Sequence, residues 1–270
     1  MSKEKILLIS DIDGTLVTPK MGMPAINAEA VAKLKAAGHY FTIATGRSHK
    51  ATMQYAEKIE INVPVITFNG AALYDYSKSR FIMTKKMPQT VVGIVQSIYD
   101  RFDEAGIEIF TEDDIYMIRY TDLTKRHVEQ ENLDFITPSI DEIANINWLK
   151  VLLTAPPDVM PELERYAANL DAPELDFVRS GIPYFEILSH GVNKGTALPE
   201  LIKYLGVKPE NVYAIGDYYN DVGMLKAAAH TAAPAGAPDD IRAMCEYIAR
   251  PVEEGAVADY IEHILDDINK

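Results

Sequence analysis

Three short, nearly continuous apolar runs, KILLIS at 5–10, YFTIA at 40–44 and VPVITF at 63–68, predict strands buried on both faces. Helical periodicity separates them. NAEAVAKLKAAGH puts Ala30, Val31 and Leu34 on one face, with Asn27 as the expected N-cap and Gly38 as the stop. SHKATMQYAEKI starts in the same manner at Ser48. Strand, helix, strand, helix, strand implies a parallel sheet with right-handed crossovers.

The same alternation returns near the C-terminus: a helix in KGTALPELIKYLG, a strand in NVYAIGD, a helix in DVGMLKAAA, a short apolar HTAA, then helices from Asp239 and Glu253. Between these halves the pattern changes. A hairpin-like ALYDYSKSRFIMT precedes an amphipathic helix from Pro88 to Ala105, on which Val91, Val95, Ile98 and Phe102 repeat every three or four residues. GIEIFTEDDIYMIRY reads as two alternating strands around an acidic turn. A helix in TKRHVEQENL, a strand in NWLKVLLTA, a helix in DVMPELERYAANL and a strand pair in LDFVRSGIPYFEIL complete this stretch. Adjacent strand pairs suggest an antiparallel or mixed sheet. The expectation is an α/β, Rossmann-like parallel-sheet core at residues 1–82 and 188–270, interrupted by an inserted α+β domain at 83–187.

In an open parallel sheet, ligands bind outside the carboxyl ends of the strands, so those ends are the candidate site. The first strand ends in SDIDGT, where alternation would turn Asp11 and Asp13 to roughly one side and Ile12 away. Two carboxylates so close need a cation or a shared proton. Mg²⁺ meets that need, because it takes hard oxygen ligands and keeps waters that a phosphate can replace. A solvated Asx-type turn at Asp13 and Gly14 is the alternative.

The second strand ends in IATGRS, offering the Thr45 hydroxyl and a closely approachable Gly46 amide to an anion. Lys194, in GVNKGTAL, stands at the expected start of a helix, against its dipole. An anion between dipole and ammonium would explain the placement; a lysine reaching into water is the plain alternative. AIGDYYNDVGML ends a strand with Asp217 and clusters Asn220 and Asp221, where Asp221 also suits a helix cap. Each motif has an ordinary explanation, but all four occupy the equivalent edge of one expected sheet.

Composition narrows the partners. Among 270 residues, 26 Lys and Arg against 40 Asp and Glu give a net charge of −14, a field that repels nucleic acid and anionic membrane surfaces. No stretch approaches the roughly 18 apolar residues of a membrane span, and the apolar run of MSKEKILLIS is short for a signal peptide. A cytoplasmic protein is expected. The single cysteine, Cys245 in IRAMCEYIA, excludes an internal disulfide and reads as a small hydrophobe on a helix.

Taken together, these residues resemble the haloacid dehalogenase (HAD) superfamily of phosphotransferases. Asp-x-Asp-Gly-Thr at 11–15, the strand-end Thr45, Lys194 in NKG and GDYYND at 216–221 match its four motifs in order, over essentially the whole chain. ITFNGA at 66–71, EILSHGVNKGTAL at 186–198 and the large insertion between Thr45 and Lys194 look like the Cof-type subfamily, whose members carry a C2B cap.

The resemblance implies a Mg²⁺-dependent phosphatase that hydrolyses small phosphorylated metabolites (sugar phosphates, nucleotides or cofactor phosphates) through an aspartyl-phosphate. It implies Asp11 as nucleophile and Asp13 as general acid and base, an order that spacing alone does not set. Asp11, the Asp13 backbone carbonyl, Asp217 and Asp221 would hold the metal. Thr45, the amides of Ile12 and Gly46, Asn220 and Lys194 would hold the phosphate, with Arg47 one step outside. The cap would exclude water and contact the leaving group, with Arg119, Arg126, His127 and Arg179 as polar candidates. Tyr74 with Tyr76, and Tyr218 with Tyr219, could line a pocket or simply pack. A sugar phosphomutase and a non-catalytic phosphate-binding regulator are the rival readings.

Overall fold

The computed structural model describes residues 4–18 and 20–268. The chain forms two compact units, Met1–Met83 with Asn193–Lys270, and Thr84–Val192.

The first unit contains β1 (Leu7–Ser10), α1 (Ala25–Ala36), β2 (Tyr40–Ile43), α2 (His49–Lys58), β3 (Val65–Thr67) and β4 (Ala72–Asp75). β5 (Arg80–Thr84) leads out of it. Five strands form a parallel sheet in the order β13 (Tyr247–Ala249), β12 (His230–Pro234), β11 (Val212–Ile215), β1 and β2. β1 lies inside the sheet between β11 and β2, and all four of its residues are buried because both faces are covered. On one face Leu8 packs with Val31, Leu34 and Ile264, and on the other Leu7 and Ile9 pack with Leu198, Leu201 and Met224.

The third apolar run behaves differently from its expected place as a full parallel strand. A single bridge, Ala44 to Ile66, continues the parallel arrangement. β3 otherwise pairs antiparallel with β4 in a separate sheet of order β3-β4-β5. The chain reverses too soon after Thr67 for a longer ladder.

Thr84–Val192 holds α3 (Thr90–Arg101), β6 (Gly106–Phe110), β7 (Ile115–Arg119), α4 (Asp122–Glu131), α5 (Ile140–Ile143), β8 (Lys150–Thr154), α6 (Met160–Ala168), β9 (Leu175–Arg179) and β10 (Tyr184–Ser189). Its sheet is antiparallel, in the order β7-β6-β8-β10-β9. Alternation makes the two faces unlike. Ile107, Ile109, Val151, Leu153, Phe185 and Ile187 share one apolar cluster with Val95 and Ile98 of α3 and Leu163 of α6.

On the opposite face Glu108, Lys150 and Glu186 are buried, and α4 brings His127 to them. His127 Nδ1 lies 2.8 Å from Glu108 Oε2, its Nε2 3.6 Å from Glu131 Oε1, and Lys150 Nζ donates to Glu186 Oε1 at 3.2 Å. Burial works against charge on His127, but its bonds to Glu108 and Glu131 outweigh that and raise it to about 9. Burial pushes Glu108 up as well, and its bond to the His127 imidazole opposes that rise.

A folded pKa above the unfolded value near 6.5 contributes stability that is complete below that pH and disappears as pH rises through about 9. His127→Gln is therefore expected to destabilise this unit by on the order of 2–3 kcal/mol at pH 7, with the deficit shrinking by pH 10. The single tryptophan, Trp148, is buried in this unit, so denaturant titrations followed by its fluorescence measure the effect. A pH-independent deficit would refute it.

The second crossover half supplies α7 (Leu198–Leu205), β11 (Val212–Ile215), α8 (Val222–Ala227), β12 (His230–Pro234), α9 (Asp239–Arg242), β13 (Tyr247–Ala249) and α10 (Ala256–Asp267). Three local expectations change here. Asn27 does not cap α1, which starts after Pro24; it is buried inside that helix, donates to the Leu16 carbonyl at 3.0 Å and accepts from the Ala258 amide at 3.0 Å. It thus satisfies an early amide of α10, whose own N-cap, Gly255, has no side chain to offer. Cys245 lies in the link between α9 and β13 rather than on a helix, because IRAMCEYIA ends in β13, which pairs with β12. The helix expected from Lys194 starts only at Leu198. Ser48 does cap α2, accepting from the Ala51 amide at 3.1 Å.

Candidate active site

β1 ends at Ser10, and the Asp11 amide still donates to the Ile215 carbonyl at 3.0 Å, which places Asp11 at the carboxyl edge of this interior strand. Its side chain is buried, with 4% of the residue exposed. The strand alternation stops there, because the chain turns at Gly14 with φ of 92°. A Cβ on Gly14 would lie 2.4 Å from Asp217 Oδ2, so only glycine permits this approach. Asp11 and Asp13 consequently find different surroundings. Asp13 is exposed and paired in fork geometry with Arg47, at 2.7 Å to Nε and 2.8 Å to Nη2.

Lys194 joins the buried acids. Its Nζ donates to Asp11 Oδ1 at 2.5 Å and to Asp221 Oδ1 at 2.6 Å, with 1% of the residue exposed. The ammonium therefore answers two carboxylates rather than opposing a helix dipole, since it stands in a turn ahead of α7. Asp221 Oδ2 accepts from the amides of Asp217 and Tyr218 at 3.0 and 3.1 Å, so this acid does cap its turn as well as meeting Lys194. Asp217 Oδ1 accepts from the Thr15 hydroxyl at 2.9 Å.

Thr45 is buried after β2, where its hydroxyl accepts from the Arg47 amide at 3.2 Å, and Gly46 follows it. Ile12 is buried, and Asn220 is half-buried on the turn Tyr219–Asp221. The tyrosine pairs separate: Tyr74 and Tyr76 pack edge to face and Tyr76 donates to the His49 carbonyl, whereas Tyr218 and Tyr219 are exposed.

One ammonium stands among three carboxylates, and the electrostatics reflect the shortage. Burial pushes Asp11 well up, Lys194 opposes this, and Asp221, Asp217 and Asp13 add to it. Burial and the Asp221 charge raise Asp217 to about 6. For Lys194, burial disfavours the charge, but Asp11 and Asp221 outweigh it and hold the ammonium protonated. Asp11, Asp217 and Asp221 each offer an oxygen within 4.8 Å of the others. Asp11 Oδ2 is buried without a hydrogen-bond partner. Such an all-oxygen set, short of positive charge and with one unsatisfied oxygen, fits a hard divalent cation.

Two further side-chain contacts belong to this neighbourhood. Arg47, expected one step outside the phosphate-holding groups, pairs with Asp13, and Thr15, given no role from the sequence, donates to Asp217. Thr15 ends the Asp-x-Asp-Gly-Thr run and Arg47 follows Thr45 by two residues. In the inserted unit, Arg119 donates to the Tyr99 carbonyl at 2.6 Å and to the Phe102 carbonyl, closing the end of α3. Arg179 pairs with Glu164 at 2.6 Å, and Arg126 is exposed.

The parallel sheet thus gathers acids that follow two adjacent strands, and a lysine, at its carboxyl edge. The family model for haloacid dehalogenase-like hydrolases matches residues 8–261, and the chain belongs to that family. It is similar to 5-amino-6-(5-phospho-D-ribitylamino)uracil phosphatase YitU of Bacillus subtilis (strain 168), 25% identical with 97% of this chain and 98% of the relative covered. It is also similar to pyridoxal phosphate phosphatase YbhA of Escherichia coli (strain K12), 26% identical over 94% of this chain and 97% of the relative. In fold it matches a haloacid dehalogenase-like hydrolase from Bacteroides thetaiotaomicron with a TM-score of 0.87, 21% identity and coverage of 97% and 100%. The HAD subclass IIB sugar phosphatase BT4131 matches with a TM-score of 0.84, 24% identity and coverage of 96% and 99%. The chain is thus an enzyme of the Cof type within this hydrolase family. Among the described residues, no helix is long and apolar enough to cross a membrane.

Proposed function

We propose that this chain is a Mg²⁺-dependent phosphatase of small phosphorylated metabolites, sugar phosphates, nucleotides or cofactor phosphates, and that it works through an aspartyl-phosphate. The observation that carries the reading is Asp11: a buried carboxylate at the end of β1, one oxygen on Lys194 and the other without a partner. Relatives named as phosphatases that span nearly the whole chain support it.

Asp11 attacks phosphorus, and the bond from phosphorus to the ester oxygen breaks. Asp13 protonates the departing alkoxide, then takes a proton from the water that attacks the aspartyl-phosphate, so that inorganic phosphate leaves and Asp11 is regenerated. The fork pair with Arg47 holds Asp13 apart from the buried acids. Thr45, the amides of Ile12 and Gly46, Asn220 and Lys194 hold the phosphoryl oxygens as their charge redistributes. Asp11, Asp217, Asp221 and the Asp13 carbonyl would hold Mg²⁺, which supplies neutralisation of two anions that must meet. Discrimination among esters is assigned to the inserted unit.

The test is phosphate release from an aryl phosphate and from a panel of hexose, pentose, nucleoside and cofactor phosphates. Chelation with EDTA should lower turnover by roughly 100-fold, and added Mg²⁺ should restore it. Turnover indifferent to chelation would refute the metal role. Isomerised sugar phosphate without released phosphate would replace the phosphatase with a mutase.

A further inference from the structure

The segment Phe68–Gly70, which has no part in the reaction above, runs between two groups of residues that do. β3 ends at Thr67 and β4 begins at Ala72, and the chain reverses through Phe68, Asn69 and Gly70 at φ of 51°, 53° and 95°. Successive left-handed residues that carry side chains are costly, and for a bulky aromatic the region is an outlier. The other non-glycine residues with positive φ, Glu60, Ser79 and Asn132, occur singly among the described residues, in turns or at a helix end. Strain of this kind persists only where surrounding contacts over-determine it, and it gathers at functional sites.

The contacts are present on both sides. The Phe68 amide donates to the Arg47 carbonyl at 3.0 Å, and the Asn69 amide donates to the Thr45 carbonyl at 2.9 Å. Phe68 and Asn69 are buried, and the Asn69 side chain lies so close to Gly46 that a Cβ there would meet it at 3.0 Å. Gly70 faces the other way. A Cβ on it would lie 2.0 Å from the Asn193 carbonyl oxygen and 3.2 Å from the Lys194 amide. One three-residue turn therefore presses on the backbone of Thr45–Arg47 and on that of Asn193–Lys194.

We propose that Phe68–Gly70 is a positioning brace, whose left-handed backbone sets the spacing between the Thr45–Gly46 loop and Lys194 in the phosphate site. The assignment of a phosphate to these groups rests on the phosphatase reading. Donors to a transferring phosphoryl group lose much of their effect when displaced by about 1 Å, a change worth on the order of 100-fold in rate.

Three variants test the brace. Gly70→Ala drives a methyl group into the Asn193 carbonyl, Asn69→Val disfavours the left-handed backbone, and Asn69→Gly keeps that backbone while removing the side chain. Two quantities are read: the inhibition constant for orthovanadate, which is independent of the fraction of active enzyme, and hydrogen–deuterium exchange over residues 45–47 and 193–195. Gly70→Ala and Asn69→Val should raise the vanadate constant by about tenfold or more, with faster exchange in both segments. Asn69→Gly should stay within roughly threefold of wild type in the constant and match it in exchange.

An unchanged vanadate constant in Gly70→Ala and Asn69→Val, or faster exchange in one segment alone, would overturn the proposal. So would an Asn69→Gly variant as impaired as Asn69→Val, which would place the effect in the amide side chain. If Gly70→Ala does not fold, the comparison of the two Asn69 variants decides. A wild-type protein that releases no phosphate would sink the phosphatase reading by itself, and the exchange pattern would still judge the brace.

Discussion

Asp11→Asn is expected to abolish phosphate release, lowering kcat by on the order of 10⁴-fold or more, while the protein remains folded. The substitution keeps shape and burial and removes only the nucleophilic charge. Stability should not suffer, for an electrostatic reason. Asp11 is held well above the usual carboxylate range by burial, and the neighbouring Asp221 and Asp217 add to the strain on its charge. Replacing it leaves Lys194 with Asp221 at 2.6 Å and one fewer repelling anion. Thermal unfolding at pH 7 should therefore show an unchanged or higher midpoint, and phosphate assays at matched folded concentration should show the activity loss. Retention of more than about 1% of wild-type kcat would remove Asp11 from the nucleophile's role.

Lys194→Met should be the most damaging single substitution to stability, at about 3–5 kcal/mol, and should also cost activity. The side chain it replaces is 1% exposed and touches two carboxylates that are themselves buried. Breaking a buried pair from one side leaves the partners charged, desolvated and facing each other. The direction with pH follows from Asp11 and Asp217. Both are raised above the unfolded carboxylate value, so the folded state favours their protonated forms, and stability on their account falls as pH rises through the folded values, about 6 for Asp217. Removal of the compensating ammonium deepens that fall. The variant should thus lie closest to wild type near pH 4 and furthest from it at pH 7 to 8, as read by denaturant titration. A double variant, Asp11→Asn with Lys194→Met, should recover part of the loss, since one of the stranded charges is gone. A deficit independent of pH and unrelieved in the double variant would show that packing, not charge, is what Lys194 provides.

How far the fold and site were legible depended on the reach of the rule being applied. Buried strands at Leu7–Ser10 and Tyr40–Ile43 announce themselves as apolar runs, because a strand covered on both faces has no polar face to show. Ser48 caps its own helix through an amide three residues away, well within what neighbouring residues dictate. By contrast, β13 lay hidden inside IRAMCEYIA, since three residues carry little periodicity and its existence depends on β12 lying alongside. Asn27 looked like a cap for the helix that contains it and proved to serve one far down the chain, because its oxygen meets Ala258 only once the two helices are packed.

By itself, the sequence determined the alternation of strands and helices, the interruption by a mixed unit, and the collection of acids, a threonine and a lysine at strand ends. These follow from periodicity and from where polar residues interrupt apolar runs, both properties of adjacent positions. Only the tertiary structure decided the partners. Asp11 and Asp13 are two residues apart, yet one is buried on a lysine 183 positions away and the other is held in an exposed fork by Arg47. Their different lots arise because the strand ends at Ser10 and the turn at Gly14, made possible by the lack of a side chain against Asp217, sends the second acid elsewhere. Charge compensation in a buried site depends on distances of a few ångströms between segments far apart in the chain, and only folding sets those distances.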